Sequence, residues 1–553
     1  MDAGMESPTP MVRRGWAIPA AAVLPWSSDR TGRRTRAPAW LWLPVLAIGC
    51  LALLPLVYLV IRSSDGSAQA WQTLLRPKTV QVLANTLLLV GAVSVATTAL
   101  ALPLAWLTVR TDLPGRRFWS TALVLPLVVP SYVGALALVA ALGPRGLLQQ
   151  MLEPFGVAAL PSIYGFWGAW LALTLFTLPF PLLSIRAALA GLDPSLEEAA
   201  RSLGMPARAA FWRVTVPRLR PAIGAGGLLV ALYTIGDFGV VSLLRYDSFA
   251  RAIYTAYRSS FDRAAAALLA LALLLLTLVF LAAERRVRGR ATLHRVGAGS
   301  GRRARDVRLG RWRWPALALC AAVVLLALGL PLVVLAYWAL RFLLADGEAS
   351  PYLLAATRVS FALGLATAVL ATLAALPVAI LRVRFGGRLA VVVERIAHLT
   401  YALPGIVLAI AFVAISVRTP WYQTFPILVV AFALRFLPQA VGAAQLSLLQ
   451  INPRLEDAAR GLGRSFLATL WQVTVPLARP GVLAGALLVL LTTMKELPIT
   501  LLLLPTGART LPTLIWTNAA DARYGEAALP ALLLVALTSG PAFLLARREH
   551  ATI

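Results

Sequence analysis

Histidine, cysteine and lysine are nearly absent from this 553-residue chain, with three, two and two residues. His294, His398 and His550 are scattered, and Cys50 and Cys320 each sit in an apolar run far from any histidine cluster. That pattern excludes a zinc site and a disulfide framework, and both cysteines are expected as small core residues. It also disfavours a membrane-embedded enzyme, because no nucleophile or metal constellation is present. His294 and His550 are expected to be solvated and His398 packed. Neither lysine follows the glycine pattern of a phosphate-binding loop: Lys78 lies in "LRPKTV" and Lys495 in "TTMKEL". The chain is therefore not expected to hydrolyse ATP by itself. About forty polar, arginine-rich residues precede the first apolar run, which argues against a cleaved signal peptide.

What is abundant is apolar surface. Hydrophobic residues make up 59% of the chain and charged residues only 13%, with a mean hydropathy of +0.78. No ordinary soluble domain shows that balance, so the chain reads as an all-α polytopic membrane protein. Apolar windows long enough to cross a hydrocarbon core of about 30 Å fall near 40–61, 83–109, 118–142, 165–189, 222–244 and 264–283. Six more fall near 315–340, 356–381, 391–417, 426–447, 481–504 and 528–546. About twelve spans in two sets of six are expected. The expected divisions are a cytoplasmic tail over 1–39, a first repeat over 40–283, a basic linker over 284–313, a second repeat over 314–546 and a tail over 547–553.

With the N-terminus inside, 36 of the 51 Lys and Arg residues fall on the cytoplasmic side or at the cytoplasmic end of a span, 13 outside or at the outer end of a span, and two, Arg435 and Lys495, deep within spans. This is the distribution of the positive-inside rule and places both termini in the cytoplasm. It also accounts for the net charge of +28 without nucleic acid, because the basic linker suits a solvated tether facing lipid headgroups.

The chain repeats itself. Pro103 answers Pro377 and Pro130 answers Pro404, both at an offset of 274 residues. "DPSLEEAARSLGMPARAAFWRVTVPRLRP" from Asp193 answers "NPRLEDAARGLGRSFLATLWQVTVPLARP" from Asn452 at an offset of 259. Between Pro194 and Pro221, 16 of 28 positions are identical. The change of offset implies a longer external loop in the first half, around "GPRGLLQQMLEPFGVAALPS". Six spans separate the copies, so the repeats are parallel, unlike the inverted repeats common in secondary transporters.

Both copies of the repeated loop, 193–221 and 452–480, fall on the cytoplasmic side between the fourth and fifth spans of their halves. Asp193 and Asn452 suit N-caps, with Pro194 and Pro453 at the first helical position. Glu197, Glu198, Glu456 and Asp457 fall in the first turns, where acids offset the helix dipole. Ala199-Ala200 and Ala458-Ala459 give a smooth surface, and Gly204 and Gly463 are expected to end the helix. A second short helix should follow before Pro217 and Pro476 lead back to the membrane. A loop between spans has no packing reason to stay so alike while its flanking spans drift, which points to a reader outside the membrane.

"EAARSLGMPARAAFWRVTVP" fits the pattern Glu-Ala-Ala, three residues, Gly, nine residues, Ile-x-Leu-Pro, with Val214 and Val216 at the aliphatic positions. "DAARGLGRSFLATLWQVTVP" fits the same spacing with Asp457 in place of the glutamate. Both resemble the EAA loop of membrane subunits of bacterial binding-protein-dependent ABC importers. The resemblance covers essentially the whole chain and implies two permease units fused head to tail. It implies that each loop helix sits in a groove of an ATP-binding subunit, two copies in all, which would bind ATP and Mg, while an extracytoplasmic binding protein delivers solute. The role falls on Glu198, Ala199, Ala200 and Gly204, and on Asp457, Ala458, Ala459 and Gly463. The chain itself is then a non-enzymatic subunit of the inner membrane, surrounded by lipid and without a cofactor of its own.

An ionisable group inside a span costs roughly 2.5–3.5 kcal/mol on insertion scales and is a functional candidate by default. At the 259 offset Glu496 corresponds to Asp237, so both halves carry an acid at one place in the fifth span. Glu496 lies 16 residues beyond Pro480, about 24 Å of helix, in the outer half of the membrane. Pro498 and Gly239 hold matching positions as helix disruptors. Asp237, Lys495, Glu496 and Arg435 are the candidate pathway or gate residues; the alternative is a structural ion-pair network, with Arg435 a possible partner of Glu496. "KELPITLLLLPTGARTLPTLIW" and "GDFGVVSLLRYDSFARAIY" resemble the ferric-iron branch of these importers. Fe(III) prefers oxygen ligands, but these helices are too poor in carboxylates for a high-affinity metal site, and no metal ligands are assigned. Fused permeases for thiamine, aminoethylphosphonate and polyamines look alike at this level. An ion-coupled secondary transporter using Asp237 and Glu496 is the more distant alternative, and the duplicated cytoplasmic loop argues against it.

Overall fold

The computed structural model describes residues 38–64, 72, 75–144, 146–157, 159–193, 195–258, 263–289, 306–345 and 351–550. Most of the N-terminal tail, the middle of the linker with His294, Pro194 and the last three residues lie outside them. Among the described residues the architecture is helical, with one isolated parallel bridge between Thr111 and Val307.

Every apolar window lands on helix, but not every window is one uninterrupted helix. Among the described residues ten helices are long and apolar enough to cross a membrane, and Leu389–Ala402 with Gly405–Ser416, bent by 105°, makes an eleventh if the pair is one span. The last helix, Tyr524–His550, has a shorter apolar stretch, Tyr524–Gly540. By length and composition ten or eleven spans are thus counted among the described residues, and this last helix stands at the place of the expected twelfth. Several spans are broken, and the breaks fall at repeated positions. Span 3 is divided into Arg116–Ala122, Leu125–Val128 and Ser131–Leu142, and span 9 into Arg388–Ala402 and Gly405–Ser416. The breaks occur at Pro130 and Pro404, whose φ/ψ are −58°/139° and −54°/137°. An extended residue with a fixed φ and no amide hydrogen cannot continue a helix but can start the next one.

Span 5 and span 11 break at the other repeated place. Val216–Gly236 is followed by Gly239–Leu243, and Val475–Met494 by Pro498–Leu503. Glycine is required at 239 because a Cβ there would lie 2.5 Å from the Cβ of Tyr132. The same close packing joins spans 4 and 5 of each half: a Cβ on Gly226 would lie 2.7 Å from Pro181 Cα, and one on Gly485 2.6 Å from Ala443 Cβ. Small residues at such crossings bring backbones together where lipid supplies no hydrophobic driving force between helices.

The halves are interlocked. The first span, Ala39–Ser64, packs on Leu353–Ile380, Arg388–Ala402 and Gly405–Ser416 of the second half, while Leu330–Leu344 packs on Ser131–Leu142 of the first. Trp338 Nε1 donates to the Ala140 carbonyl at 3.1 Å across that contact. Cys320 is buried as expected, whereas Cys50, in the first span, is exposed. His398 is also exposed, its Nδ1 2.8 Å from the Glu394 carbonyl one helical turn earlier.

Candidate functional site: two cytoplasmic loops and four helix breaks

The repeated loops fold alike. Asn452 caps Pro453–Gly461 by accepting from the Arg454 N–H at 3.1 Å, and Asp193 accepts from the Ser195 N–H at 3.0 Å ahead of Ser195–Ser202. That bond holds the exposed Asp193 carboxyl below its ordinary value. Both helices end in a Schellman motif. In the first, Met205 N–H donates to Ala200 C=O and Gly204 N–H to Arg201 C=O; in the second, Arg464 N–H donates to Ala459 C=O and Gly463 N–H to Arg460 C=O. Gly204 and Gly463 have φ of +88° and +82°, which glycine adopts without the Cβ penalty. A Cβ at either position would meet open space, so the backbone angle alone demands glycine.

Pro217 and Pro476 do not lead out of a separate second helix. Ala207–Gly236 and Phe466–Met494 run through as single helices. Each contains one wide turn, Phe211–Thr215 or Leu470–Thr474, in which the Val216 or Val475 N–H reaches back five residues. Such a π-bulge relaxes the helix just ahead of the proline ring.

The paired acids of each loop divide their work. Glu198 and Asp457 face solvent, together with Ala199 and Ala458, while Ala200 and Ala459 are half-buried. Glu197 and Glu456 turn inward. Thr215 Oγ1 donates to Glu197 at 2.8 Å and Thr474 Oγ1 to Glu456 at 2.9 Å. Arg384 donates to the same Glu456 oxygen from Nη2 at 2.8 Å and Nε at 3.1 Å. Arg110 holds the equivalent place in the first half, buried and in the field of Glu197 and Glu198. Arg110, Arg384, Thr215 and Thr474 are not among the residues expected from the sequence. Their signal is nonetheless present, since "VR" recurs at the 274 offset and "VTVP" at the 259 offset. Beside these anchors, Leu203 and Leu462 stand 88% and 85% exposed just ahead of the loop glycines.

The intramembrane charges gather at the four helix breaks. Asp237 accepts from Ser131 Oγ at 2.6 Å and from the Val240 N–H at 2.8 Å. It thereby caps the second piece of span 5 and ties it to the second piece of span 3. Glu496 accepts from the Ile499 N–H at 2.9 Å, the same capping role. Its other oxygen lies 3.8 Å from Arg435 Nε, and Arg435 Nη1 donates to the Leu403 carbonyl at 3.0 Å, just before Pro404. Each acid therefore joins the break in its own fifth span to the break in its own third span.

Lys495 turns away from Glu496 and crosses to the other half, where Nζ donates to the Leu127 carbonyl at 2.9 Å in the broken part of span 3. Its counterpart Gly236 approaches Pro404 of the second half so closely that a Cβ on it would lie 3.7 Å from Pro404 Cα. The breaks near 127–131, 236–239, 403–405 and 495–498 thus meet where the halves face each other. Phe238 extends this contact, its ring 5.1 Å from that of Trp516 in the opposite half. Among the described residues no group of three His, Cys, Asp or Glu could hold a metal ion.

Two stretches of the chain, 97–292 and 368–548, match the family model described as binding-protein-dependent transport system inner membrane component. Over 517 residues the chain is 32% identical to the Fe(3+)-transport system permease protein FbpB 2 of Haemophilus influenzae, covering 92% of this chain and 98% of that relative. It is 27% identical over 487 residues to the ferric transport system permease protein FbpB of Actinobacillus pleuropneumoniae, covering 83% and 70%. The sulfate transport system permease protein CysT of Salmonella typhimurium is 31% identical over 198 residues, 36% of this chain and 70% of that protein. The chain is a multi-pass permease that belongs to the family of binding-protein-dependent transport system inner membrane components and carries the family's domain twice.

Proposed function

We propose that this chain forms the translocation pathway of an ATP-driven importer of ferric iron, with each half supplying one coupling loop to one of two ATP-binding subunits. The observation that carries this reading is the pair of matched loops. Each presents an exposed leucine, Leu203 or Leu462, between a smooth Ala-Ala surface and a glycine whose φ fixes the turn. Exposed apolar side chains on rigid caps are what a partner groove recognises. ATP and Mg are held by that partner, and this chain contributes no cofactor.

An extracytoplasmic binding protein delivers the solute to the face opposite the loops. Both termini lie with the loops in the cytoplasm, and the inner-membrane bilayer surrounds the spans. Iron is favoured over the other cargoes because the likeness to the Fe(3+) permease of Haemophilus influenzae covers 92% of the chain, whereas that to the sulfate permease covers 36%. Asp237, Glu496, Arg435 and Lys495 form the gate, since each joins breaks in two spans. Thiamine, aminoethylphosphonate and polyamine are the competing cargoes to be tested beside Fe(III). Uptake of each by the reconstituted complex with its cognate binding protein decides among them, with ATP-dependent accumulation of Fe(III) alone as the expected result.

A further inference from the structure

The loop carboxylates Glu197 and Glu456 precede the acids that the EAA pattern selects, and they face the opposite way. Glu456 is the one buried residue of its helix, whereas the Asp457 side chain is 66% exposed. Three elements converge on Glu456: its own loop helix, the end of span 8 through Arg384, and the wide turn at the start of span 11 through Thr474. The Arg384 and Glu456 side chains are only 14% and 12% exposed. This is far from a surface ion pair, which contributes little; removing one partner would leave a desolvated charge unpaired. Two nitrogens of one planar guanidinium on a single oxygen also fix orientation, which a lysine ammonium does not.

A second contact runs between the same pieces. Phe385, next to Arg384, has its ring 5.7 Å from Phe466 at the start of the helix after the loop, and Trp40 of the first half closes on Phe466 at 6.3 Å. In the first half the arrangement is looser. Glu197 keeps its threonine, Thr215, and Arg110 stands where Arg384 stands. A ring contact joins the pieces here too, Trp106 with Phe211 at 6.0 Å, and the end of that span is also braced through its backbone: Val307 of the linker donates to the Arg110 carbonyl at 2.8 Å, and Arg116 pairs with Asp306 at 2.9 Å.

We propose that Glu456 with Arg384 and Thr474, and Glu197 with Arg110 and Thr215, are positioning residues of transport, the joints that carry a displacement of each cytoplasmic loop into the second and fifth spans of its half. This inference rests on the loops being the coupling loops. A loop held only by its chain ends could swing without moving either span. In the second half a carboxylate bonded to both spans makes the loop and the second and fifth spans move as one body; in the first half Glu197 is bonded to span 5 through Thr215 and linked to span 2 by the charge of Arg110. The better-bonded second joint carries more of the coupling than the first.

The test uses the full chain assembled with its ATP-binding subunits and binding protein in proteoliposomes, reading complex assembly, ATP hydrolysis and solute uptake per ATP hydrolysed. R384A and E456Q are expected to lower uptake per ATP about tenfold or more, as befits loss of a charged hydrogen bond, with the complex still assembled. The exchanged pair R384E/E456R should recover most of the loss, and E197Q should cost less than E456Q. If R384A fails to assemble, R384K and T474V, which remove only part of the bonding, are read in the same way. Unchanged coupling in these variants, or a loss that only tracks lost assembly and is not recovered by the exchange, overturns the joint. A G463V control separates the two layers: coupling lost in G463V but intact in the joint variants refutes the joint alone, whereas coupling intact in G463V refutes the loop reading beneath it.

Discussion

Arg435 stands 3.8 Å from Glu496 through a gap that Gly405 leaves open. A Cβ on Gly405 would lie 2.5 Å from Glu496 Oε1 and 3.0 Å from Arg435 Nη1. In the first half the corresponding residues are Ser131, Asp237 and Phe176, and the serine hydroxyl reaches the acid directly. One site has thus been built twice with different chemistry: serine with phenylalanine in one half, glycine with arginine in the other. At 3.8 Å the Arg435–Glu496 pair is beyond hydrogen-bond distance, and Glu496 Oε1 and Arg435 Nε are buried without a hydrogen bond. The second latch is therefore the looser of the two.

This asymmetry predicts different responses to the same loss. Glu496→Gln keeps the acceptor for the Ile499 N–H but leaves Arg435 without a counter-charge, and breaking a buried pair in this way costs about 3–5 kcal/mol. Asp237→Asn keeps a neutral partner for Ser131 and costs less. Uptake should fall more in E496Q than in D237N while both chains insert; a normal rate in both would leave the acids a purely structural role. Gly405→Ala should reproduce much of the E496Q defect by displacing the pair, measured in the same assay.

At Lys495 the halves differ in charge, an ammonium opposite the glycine at 236. Lys495→Met removes its bond to the Leu127 carbonyl while keeping an unbranched chain of similar length. Loss of a charged hydrogen bond is worth about 1.5–3 kcal/mol, and it falls here on a contact between halves. Solute-independent ATP hydrolysis should rise as the halves lose this contact. A rate and coupling equal to the parent would show that the crossing bond has no part in the gate.

Substituting the loop glycines tests backbone geometry free of sterics. Gly204→Ala and Gly463→Ala each force a residue with a Cβ to φ above +80°, a cost of roughly 1–2 kcal/mol, while the new methyl meets nothing within 4 Å. The loop should lose its fixed turn without disturbing the spans. Binding of the ATP-binding subunit, measured by co-purification, should weaken several-fold, and valine should be worse than alanine. Unchanged co-purification in both valine variants would exclude the loops as the docking elements.

Fold and site are unequally legible in the sequence. Hydropathy, the two offsets and the loop spacing are local or periodic properties, so the spans, the repeat, the caps at Asp193 and Asn452 and the turns at Gly204 and Gly463 can be read along the chain. The span breaks are half visible. Pro130 and Pro404 recur at one offset, yet proline also passes smoothly through helices, as Pro103, Pro217 and Pro476 do, so the residue type alone does not locate a break. Arg435 could be named from the sequence as a partner for Glu496, and the structure pairs them, but the other partners are not legible, because the Lys495–Leu127 bond spans 368 residues and the Arg384–Glu456 bond 72. No periodicity links such residues, and only the packing of the halves brings them together.

Two loops on one chain, coupling ATP hydrolysis in a partner to movement of solute through the paired breaks, should be visible in a single transport assay. Uptake of radiolabelled Fe(III) is followed into proteoliposomes containing the chain and its ATP-binding subunits, with the binding protein supplied on the opposite face from ATP. Accumulation should require ATP and the binding protein together and should be lost when Gly204 and Gly463 are both replaced by valine. Accumulation driven by a proton gradient without ATP or the ATP-binding subunits would refute this coupling.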